Sequence, residues 1–160
     1  MDRHEALELP ALSLPAKVQW TQVNLKPYHI SSVLDVLCSP PLPDQMARER
    51  QQNPHASTDI IVYVNPTGRK AMFSAETKAF PEGSVIVKKK FDTWSRKPVL
   101  YTIMTKRAHS YNPQAGDWEF AVISGDGQKL EASGKLENCM ACHIPQAKSD
   151  YLFRSYLPGP

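Results

Sequence analysis

The chain has 160 residues, enough for one domain with a substantial core and one bound cofactor. Its 19 basic and 16 acidic residues leave a net charge of +3, which is too small to argue for a nucleic-acid partner. No apolar run approaches the roughly 18 residues of a membrane-spanning helix, so we expect no span. The 14 prolines argue against a helix bundle.

The N-terminal part of the chain gives weak structural signals. Residues 1–17 form an irregular pattern, and residues 18–24 alternate weakly, which is typical of a short edge strand. Residues 29–38 place apolar side chains on one helical face, and residues 44–52 have a polar, helical composition. We expect residues 1–58 to form an arm and a helical segment that pack on the rest of a single domain.

The pattern changes to short strands at residue 59. β-Branched and alternating runs predict five strands, over residues 59–64, 84–91, 99–106, 118–124 and 129–136. Turn signals at residues 65–68, 80–83 and 125–127 make the connections short and the strands antiparallel. Residues 70–79 predict one or two helical turns. The fold class is therefore α+β, with an antiparallel sheet and a few short helices, and residues 59–160 form its β-rich core.

The stretch that carries chemistry is Cys139-Met140-Ala141-Cys142-His143. C-x-x-C-H is the covalent attachment motif of c-type haem. Positions i, i+3 and i+4 of a helix share one face, so both thiols can form thioethers to the haem vinyl groups while His143 ligates the iron. We expect a haem helix here, with Asn138 as its N-cap.

Two other interpretations of the paired cysteines are weaker. A zinc site needs about four Cys or His ligands, and Cys38 is the only further cysteine. A thiol redox pair is expected near a βαβ pattern early in a domain, not close to the end of a strand-rich chain. Cys38 itself is expected to be a buried, inert residue.

A c-type haem has consequences for location. Haem c is attached outside the cytoplasm, so we expect an exported, periplasmic protein. Residues 1–17 hold no apolar run long enough for a signal peptide, and we expect that the leader has been removed.

No methionine follows His143, so a sixth iron ligand would have to come from upstream. The candidates are Met46, Met72, Met104, His4, His29, His55 and His109. None of them is obviously placed for ligation, and we expect five-coordinate iron whose open side binds small molecules. Cytochromes c-prime also have open iron, but they are helix bundles. An electron carrier with Met104 or a histidine as sixth ligand is the alternative.

Five stretches together resemble the cytochrome P-460 family: residues 62–66, 80–88, 116–118, 138–143 and 150–153. The family consists of small, β-rich periplasmic haem proteins, and the resemblance implies a homodimer. Members that are enzymes oxidise hydroxylamine and pass the electrons to an acceptor cytochrome. The related cytochromes c-prime-beta bind nitric oxide without turnover.

The resemblance implies that Lys88 is cross-linked to the haem, because it closes the family's lysine-containing string. From the residues alone, a run of three lysines (88–90) reads as a solvated strand end for at least two of them. Lys88 shares a strand face with Ile86 and Lys90. If Ile86 faces the haem cavity, the Lys88 amine can reach the ring; otherwise Lys88 is a snorkelling surface residue.

The resemblance also implies groups on the distal side of the haem. For an enzyme it implies a carboxylate that takes protons from the substrate, and Glu131 and Glu137 are the candidates. Lys135 occupies the offset at which the acid is expected, and both glutamates could be ordinary exposed charges. For a nitric-oxide-binding protein it implies an aromatic cap, with Phe80 as the candidate and Phe73 as a weaker one. Core packing is the alternative for Phe80.

Overall fold

The computed structural model describes residues 18–31, 44, 48, 58–76 and 79–157. The predicted arm, most of the two predicted N-terminal helices, Cys38, Met46, His4 and His55 lie outside these residues. Asp44 and Arg48 are helical, as predicted for their segment. No helix in the described part of the chain is long and apolar enough to cross a membrane.

A single antiparallel sheet organises the described residues. Its strands are β1 (Thr21–Gln22), β2 (Tyr28–Ile30), β3 (Thr58–Val64), β4 (Val85–Asp92), β5 (Pro98–Lys106), β6 (Trp118–Ser124) and β7 (Leu130–Gly134). From β3 to β7, each strand pairs with the next in sequence, and β1 and β2 both pair with the free edge of β3. The five predicted core strands and the α+β class are confirmed.

In the described part of residues 58–157, two short α-helices flank the sheet, α1 (Pro66–Phe73) and α2 (Glu137–His143). A 3-10 helix at Pro113–Ala115 precedes β6, and another at Ile144–Ser149 continues from α2. The helix predicted at the haem motif is therefore confirmed, and it leads directly into the C-terminal segment of residues 150–157.

Three local predictions were wrong. Residues 29–38 do not begin as a helix, because His29 and Ile30 pair with β3 in strand β2. Residues 65–68 are not a turn but the start of α1, where the Asn65 side chain accepts a hydrogen bond from the Gly68 amide at 3.1 Å. Asn138 is not the N-cap of α2, since Leu136 occupies that position without a side-chain cap.

The two faces of the sheet carry different clusters. One face, which we call the pocket face, holds Val62, Val64, Ile86, Met104 and Phe120, and it packs against α1 and the C-terminal segment. The other face carries a smaller buried cluster of Tyr63, Val87, Tyr101, Ile103 and Ile123. Because strand side chains alternate, successive residues of β4 supply one face and then the other.

Candidate haem site

Three of the predicted haem residues, Lys88, Cys139 and His143, line one pocket on the pocket face. Strands β4, β5 and β6 supply its floor and α2 supplies its wall; the lining residues include Ile86, Lys88, Thr102, Met104, Phe120, Val122, Asn138, Cys139 and His143. The strand register places Lys88 beside Thr102 and Ile86 beside Met104. The structure therefore brings Lys88 together with Cys139 and His143, which lie about 50 residues further along the chain.

Helix α2 places two of the three motif residues, Cys139 and His143, at the pocket. His143 is buried, Cys139 is half-buried at the pocket, and Cys142 is exposed. Burial raises the pKa of the Cys139 thiol, and the positive charges of Lys90 and Lys88 offset part of this rise. Both thiols are free, so they are available for thioether bonds.

The orientation of His143 suits iron ligation. Its Nδ1 lies 2.6 Å from the Tyr151 carbonyl oxygen, which can only accept a hydrogen bond. Nδ1 therefore carries the proton and Nε2 keeps the lone pair that binds a metal. Burial, helped by the charge of Lys88, lowers the pKa of His143 to about 4, so the ring is neutral at neutral pH. The rings of Phe120 and Phe153 pack against it, with centroids 5.3 and 5.2 Å away.

A buried ion pair holds the carbonyl that orients His143. Asp150 and Tyr151 both have left-handed backbone conformations, with φ of 53° and 64°, which non-glycine residues rarely adopt. The Asp150 carboxylate accepts two 2.9 Å hydrogen bonds from the Lys106 amine and one of 2.7 Å from the Phe80 amide. The backbone carbonyl of Asp150 accepts a 2.9 Å hydrogen bond from Trp118 Nε1. Four hydrogen bonds thus fix the residue next to Tyr151.

The Gly116-Asp117-Trp118 stretch, which contributes to the family resemblance, contacts the same Asp150-Tyr151 pair. Gly116 has a φ of +63°, and a Cβ atom there would lie only 2.4 Å from the Tyr151 ring. Only glycine therefore allows this ring to pack here. The Asp117 carboxylate accepts a 2.8 Å hydrogen bond from the Asn112 amide and closes the turn.

Lys88 is buried in the pocket and is not a snorkelling surface residue. It is 6% exposed. Its amine nitrogen lies 5.8 Å from the centroid of the Phe153 ring and 5.7 Å from that of Tyr156. Burial lowers the pKa of Lys88 to about 8, and a negative charge on Cys139 would counteract this shift. Lys90, two residues further along the same strand face, is also fully buried, so the prediction of at least two solvated lysines in this run was wrong.

The structure does not bring the predicted distal acids to the pocket. Glu131 is exposed on β7 and pairs with Lys129 at 2.7 Å. Glu137 is exposed in the first turn of α2. Lys135, at the expected offset, is also exposed, with its amine 5.1 Å from the Tyr111 ring centroid. Among the described residues that line the pocket there is no aspartate or glutamate.

Phe80 likewise lies away from the pocket lining. Its ring is 3% exposed and meets Trp118 edge-on, with centroids 5.6 Å apart. This is the core packing that was the alternative to a cap, and Phe73 is about half-exposed at the end of α1. The aromatic side chains at the site are instead Phe120 and Phe153. The sequence signal for Phe120 was its position two residues after Trp118 in a strand, on the same face.

The candidate axial ligands are dispersed. Met104 is buried on β5 and lines the pocket, whereas Met72 is fully buried in α1. His29 lies on β2, where its Nδ1 is 2.8 Å from an Asp59 carboxylate oxygen. His109 is exposed in the loop before β6. Of the described candidates, only Met104 is at the pocket.

The geometry agrees with the comparison to known families. The family model described as Cytochrome P460 matches residues 44–154, which is more than half of the chain. This range contains every pocket-lining residue named above. A comparison with curated proteins gives no match.

Proposed function

The chain belongs to the cytochrome P460 family, and we propose that it oxidises hydroxylamine or a related small nitrogen compound and passes the electrons to an acceptor cytochrome. Membership implies a c-type haem with iron. The observation that carries the proposal is the buried amine of Lys88, which shares one pocket with Cys139 and an oriented, neutral His143.

The residues present fit the haem. In this proposal Cys139 and Cys142 attach it through thioethers, and Nε2 of His143 ligates the iron because Nδ1 is held by the Tyr151 carbonyl. When bound, the haem supplies the iron centre that accepts electrons from the substrate. The apolar floor of the pocket excludes water from that centre.

Lys88 has the properties that a bond to the porphyrin requires. A pKa of about 8 leaves a fraction of the amine unprotonated near neutral pH, with a lone pair available. The rings of Phe153 and Tyr156 restrict the side chain to the pocket. We therefore include the Lys88–haem cross-link in the proposal: its N–C bond would replace one N–H bond of the amine and one C–H bond of the porphyrin, and a two-electron oxidant such as hydrogen peroxide would accept the two hydrogens.

Nitric oxide binding without turnover is the second candidate function. It is favoured by the pocket lining, which is mostly apolar and has no carboxylate among the described residues. Such a pocket suits a small uncharged diatomic better than a polar amine whose protons must be removed. Glu131 and Glu137 would have no catalytic role in this case. Simple electron transfer, with Met104 as sixth ligand, is a third possibility that a high-spin ferric spectrum would exclude.

The absorption spectrum of the dithionite-reduced holoprotein and its intact mass test the cross-link together. We expect a strongly red-shifted Soret band and a mass below that of the simple haem adduct by the hydrogens lost. Lys88→Met should restore an ordinary c-type spectrum and mass. Lys89→Met changes the neighbouring lysine, whose amine packs on Phe91 and Tyr101, and should change neither.

Turnover then separates the candidate functions. Hydroxylamine-dependent reduction of a soluble acceptor cytochrome, lost in Lys88→Met, supports the enzyme. A ferrous protein that forms a nitrosyl complex at micromolar nitric oxide, with no hydroxylamine turnover, supports the binding protein. A periplasmic location and a homodimer belong to the same proposal, and fractionation of cells and sedimentation of the holoprotein test them.

A further inference from the structure

Two polar atoms in the C-terminal segment are buried and have no hydrogen-bond partner among the described residues. They are the Nε of Arg154 and the hydroxyl of Tyr156. Tyr156 is only 5% exposed. Native proteins seldom leave buried polar groups unpaired, so each such group calls for an explanation. Two of them, two residues apart, point to a ligand that binds both.

Both groups can donate a hydrogen bond. The Nε–H of arginine is a donor and never an acceptor. Burial raises the pKa of Tyr156 far above its ordinary value, so its hydroxyl keeps its proton. The charge of Arg154 counteracts part of that rise, which means that the guanidinium acts on the hydroxyl. The ligand must therefore offer an acceptor.

The remaining contacts of Arg154 fix its guanidinium without neutralising it. Nη1 donates to the Ser74 carbonyl at 3.1 Å and Nη2 to the Ala71 carbonyl at 3.4 Å, both near the end of α1. The group also lies 5.6 Å from the Phe80 ring centroid. None of the ion pairs in the described part of the chain includes Arg154. Its positive charge is therefore available to an anion.

The position of these donors connects them to the haem pocket. The Tyr156 ring lies 5.7 Å from the Lys88 amine, which lines the pocket. Phe153, the neighbour of Arg154, packs against the ring of His143. The Arg154 guanidinium stays positively charged whether or not Lys88 is bonded to the haem, and at low dielectric its field favours a negatively charged acceptor over a neutral water molecule.

We propose that the Arg154 Nε–H and the Tyr156 hydroxyl bind the carboxylate of one haem propionate. The propionates are the anionic groups that the cofactor itself brings to the pocket. Tyr156 and Arg154 are then positioning residues that fix the rotation of the haem about its His143 ligand. This role does not depend on which nitrogen compound the protein binds.

Tyr156→Phe in the holoprotein is the direct test, because it deletes one oxygen atom and keeps the ring beside Lys88. Without substrate, we expect a shift in the propionate bending band of the resonance Raman spectrum. We also expect a lower midpoint potential, since a less neutralised carboxylate stabilises ferric iron. Tyr101→Phe is the matched control: it deletes the hydroxyl of a buried tyrosine on the opposite face of the sheet.

Arg154→Lys is the second variant, which keeps the positive charge and removes the Nε–H. It should move the propionate band in the same direction as Tyr156→Phe does.

If Tyr156→Phe leaves both the band and the potential equal to those of Tyr101→Phe, the proposal is wrong and the two donors hold a buried water molecule. Because neither readout involves turnover, a failure of hydroxylamine oxidation does not affect this test.

Discussion

At the scale of single residues, Lys88 and His143 have pKa values that are both displaced towards the neutral form. Burial is the main cause in each case, and the charge of Lys88 adds to the shift at His143. The neutral form is the useful one at both positions: a neutral imidazole can ligate iron, and a neutral amine can form a covalent bond. The same apolar pocket thus prepares both side chains.

Lys88 makes the haem-free chain more stable at high pH. Its pKa is about 8 in the folded chain and about 10.4 in an unfolded one, so between these pH values the unfolded chain binds more protons. Lys88 should therefore raise the free energy of unfolding with pH across this window, by about 3 kcal/mol. Lys88→Met should remove this contribution, leaving the part of the rise that comes from the buried Lys90, whose pKa is also lowered by burial, and it should be more stable than the parent at pH 7.

Urea unfolding between pH 7 and 10 measures this effect, in a background with Cys139→Ser and Cys142→Ser, in which the proposed thioether bonds to the haem cannot form. Lys89→Met, on the half-buried neighbouring position, is the control and should keep the rise. An equal pH dependence in Lys88→Met and its parent would show that Lys88 is not the buried titrating group.

At the scale of elements, the connection after α2 is fixed by its contacts with the end of the sheet. Lys106, the last residue of β5, forms an ion pair with Asp150 in which both side chains are largely buried. Lys106→Met leaves a buried carboxylate unpaired, and we expect a loss of 3–5 kcal/mol in the free energy of unfolding, roughly the cost of breaking a buried pair.

Denaturant unfolding of the holoprotein gives the size of that loss. Lys129→Met breaks the exposed pair with Glu131, and this control should cost less than about 1 kcal/mol. Similar losses in the two variants would mean that the Lys106–Asp150 pair does not hold the segment.

A substitution at Gly116 tests whether the packing of the Tyr151 ring fixes the hydrogen bond between the Tyr151 carbonyl and His143. Gly116→Ala adds a methyl group where the Tyr151 ring lies and keeps the unfavourable positive φ. We expect a loss of about 1–3 kcal/mol, together with a changed iron–histidine stretching band, because the Tyr151 carbonyl that binds His143 Nδ1 moves. Gly83→Ala has a φ of +84° but meets only Thr67, at 3.8 Å, and this control should lower stability without changing the band.

The sequence predicted the parts of the site that depend on local spacing. The helix at the motif follows from three residues at i, i+3 and i+4. Alternation placed Lys88 on the same strand face as Ile86 but left open whether that face is buried, so the burial of Lys88 was not predicted from the residues alone. The sequence could not predict the roles of Asp150, Tyr151 and Tyr156. Their contacts join residues far apart in the chain, and Asp150 and Tyr151 adopt backbone conformations that no local pattern favours.

The starts of α1 and β2 show a second limit of prediction from the sequence. Asn65-Pro66-Thr67-Gly68 has the composition of a turn, but the same residues form an N-cap and first helical turn when the Asn65 side chain bonds Gly68. His29 and Ile30 fit a helical face until the free edge of β3 offers them backbone partners. In both cases a tertiary or capping contact decided between two locally acceptable structures.

At the scale of the whole molecule, the sheet is buried unevenly. The centre of β4, β5 and β6 is covered on both faces, with Val87, Ile103 and Ile123 at most 3% exposed. Strand β7 is half-exposed or exposed along its length, and β1 has only two residues. Because the pocket floor is built from β4, β5 and β6, its side chains project from the best-covered strands.

This distribution predicts a gradient of amide hydrogen exchange across the sheet. Amides of β4 and β5 pair on both sides and should exchange only through global unfolding, whereas β7 pairs on one side and should open locally. Exchange followed by mass spectrometry should show β4 and β5 protected at least tenfold more than β7. The same order should hold in Lys88→Met, because the gradient comes from strand position and not from the lysine. Equal protection in β7 and β4 would mean that another copy of the chain or an undescribed segment covers the β7 edge. Helix α2 begins three residues after β7 ends, so in the proposal that α2 attaches the haem, local opening of β7 would also loosen that attachment without unfolding the pocket floor.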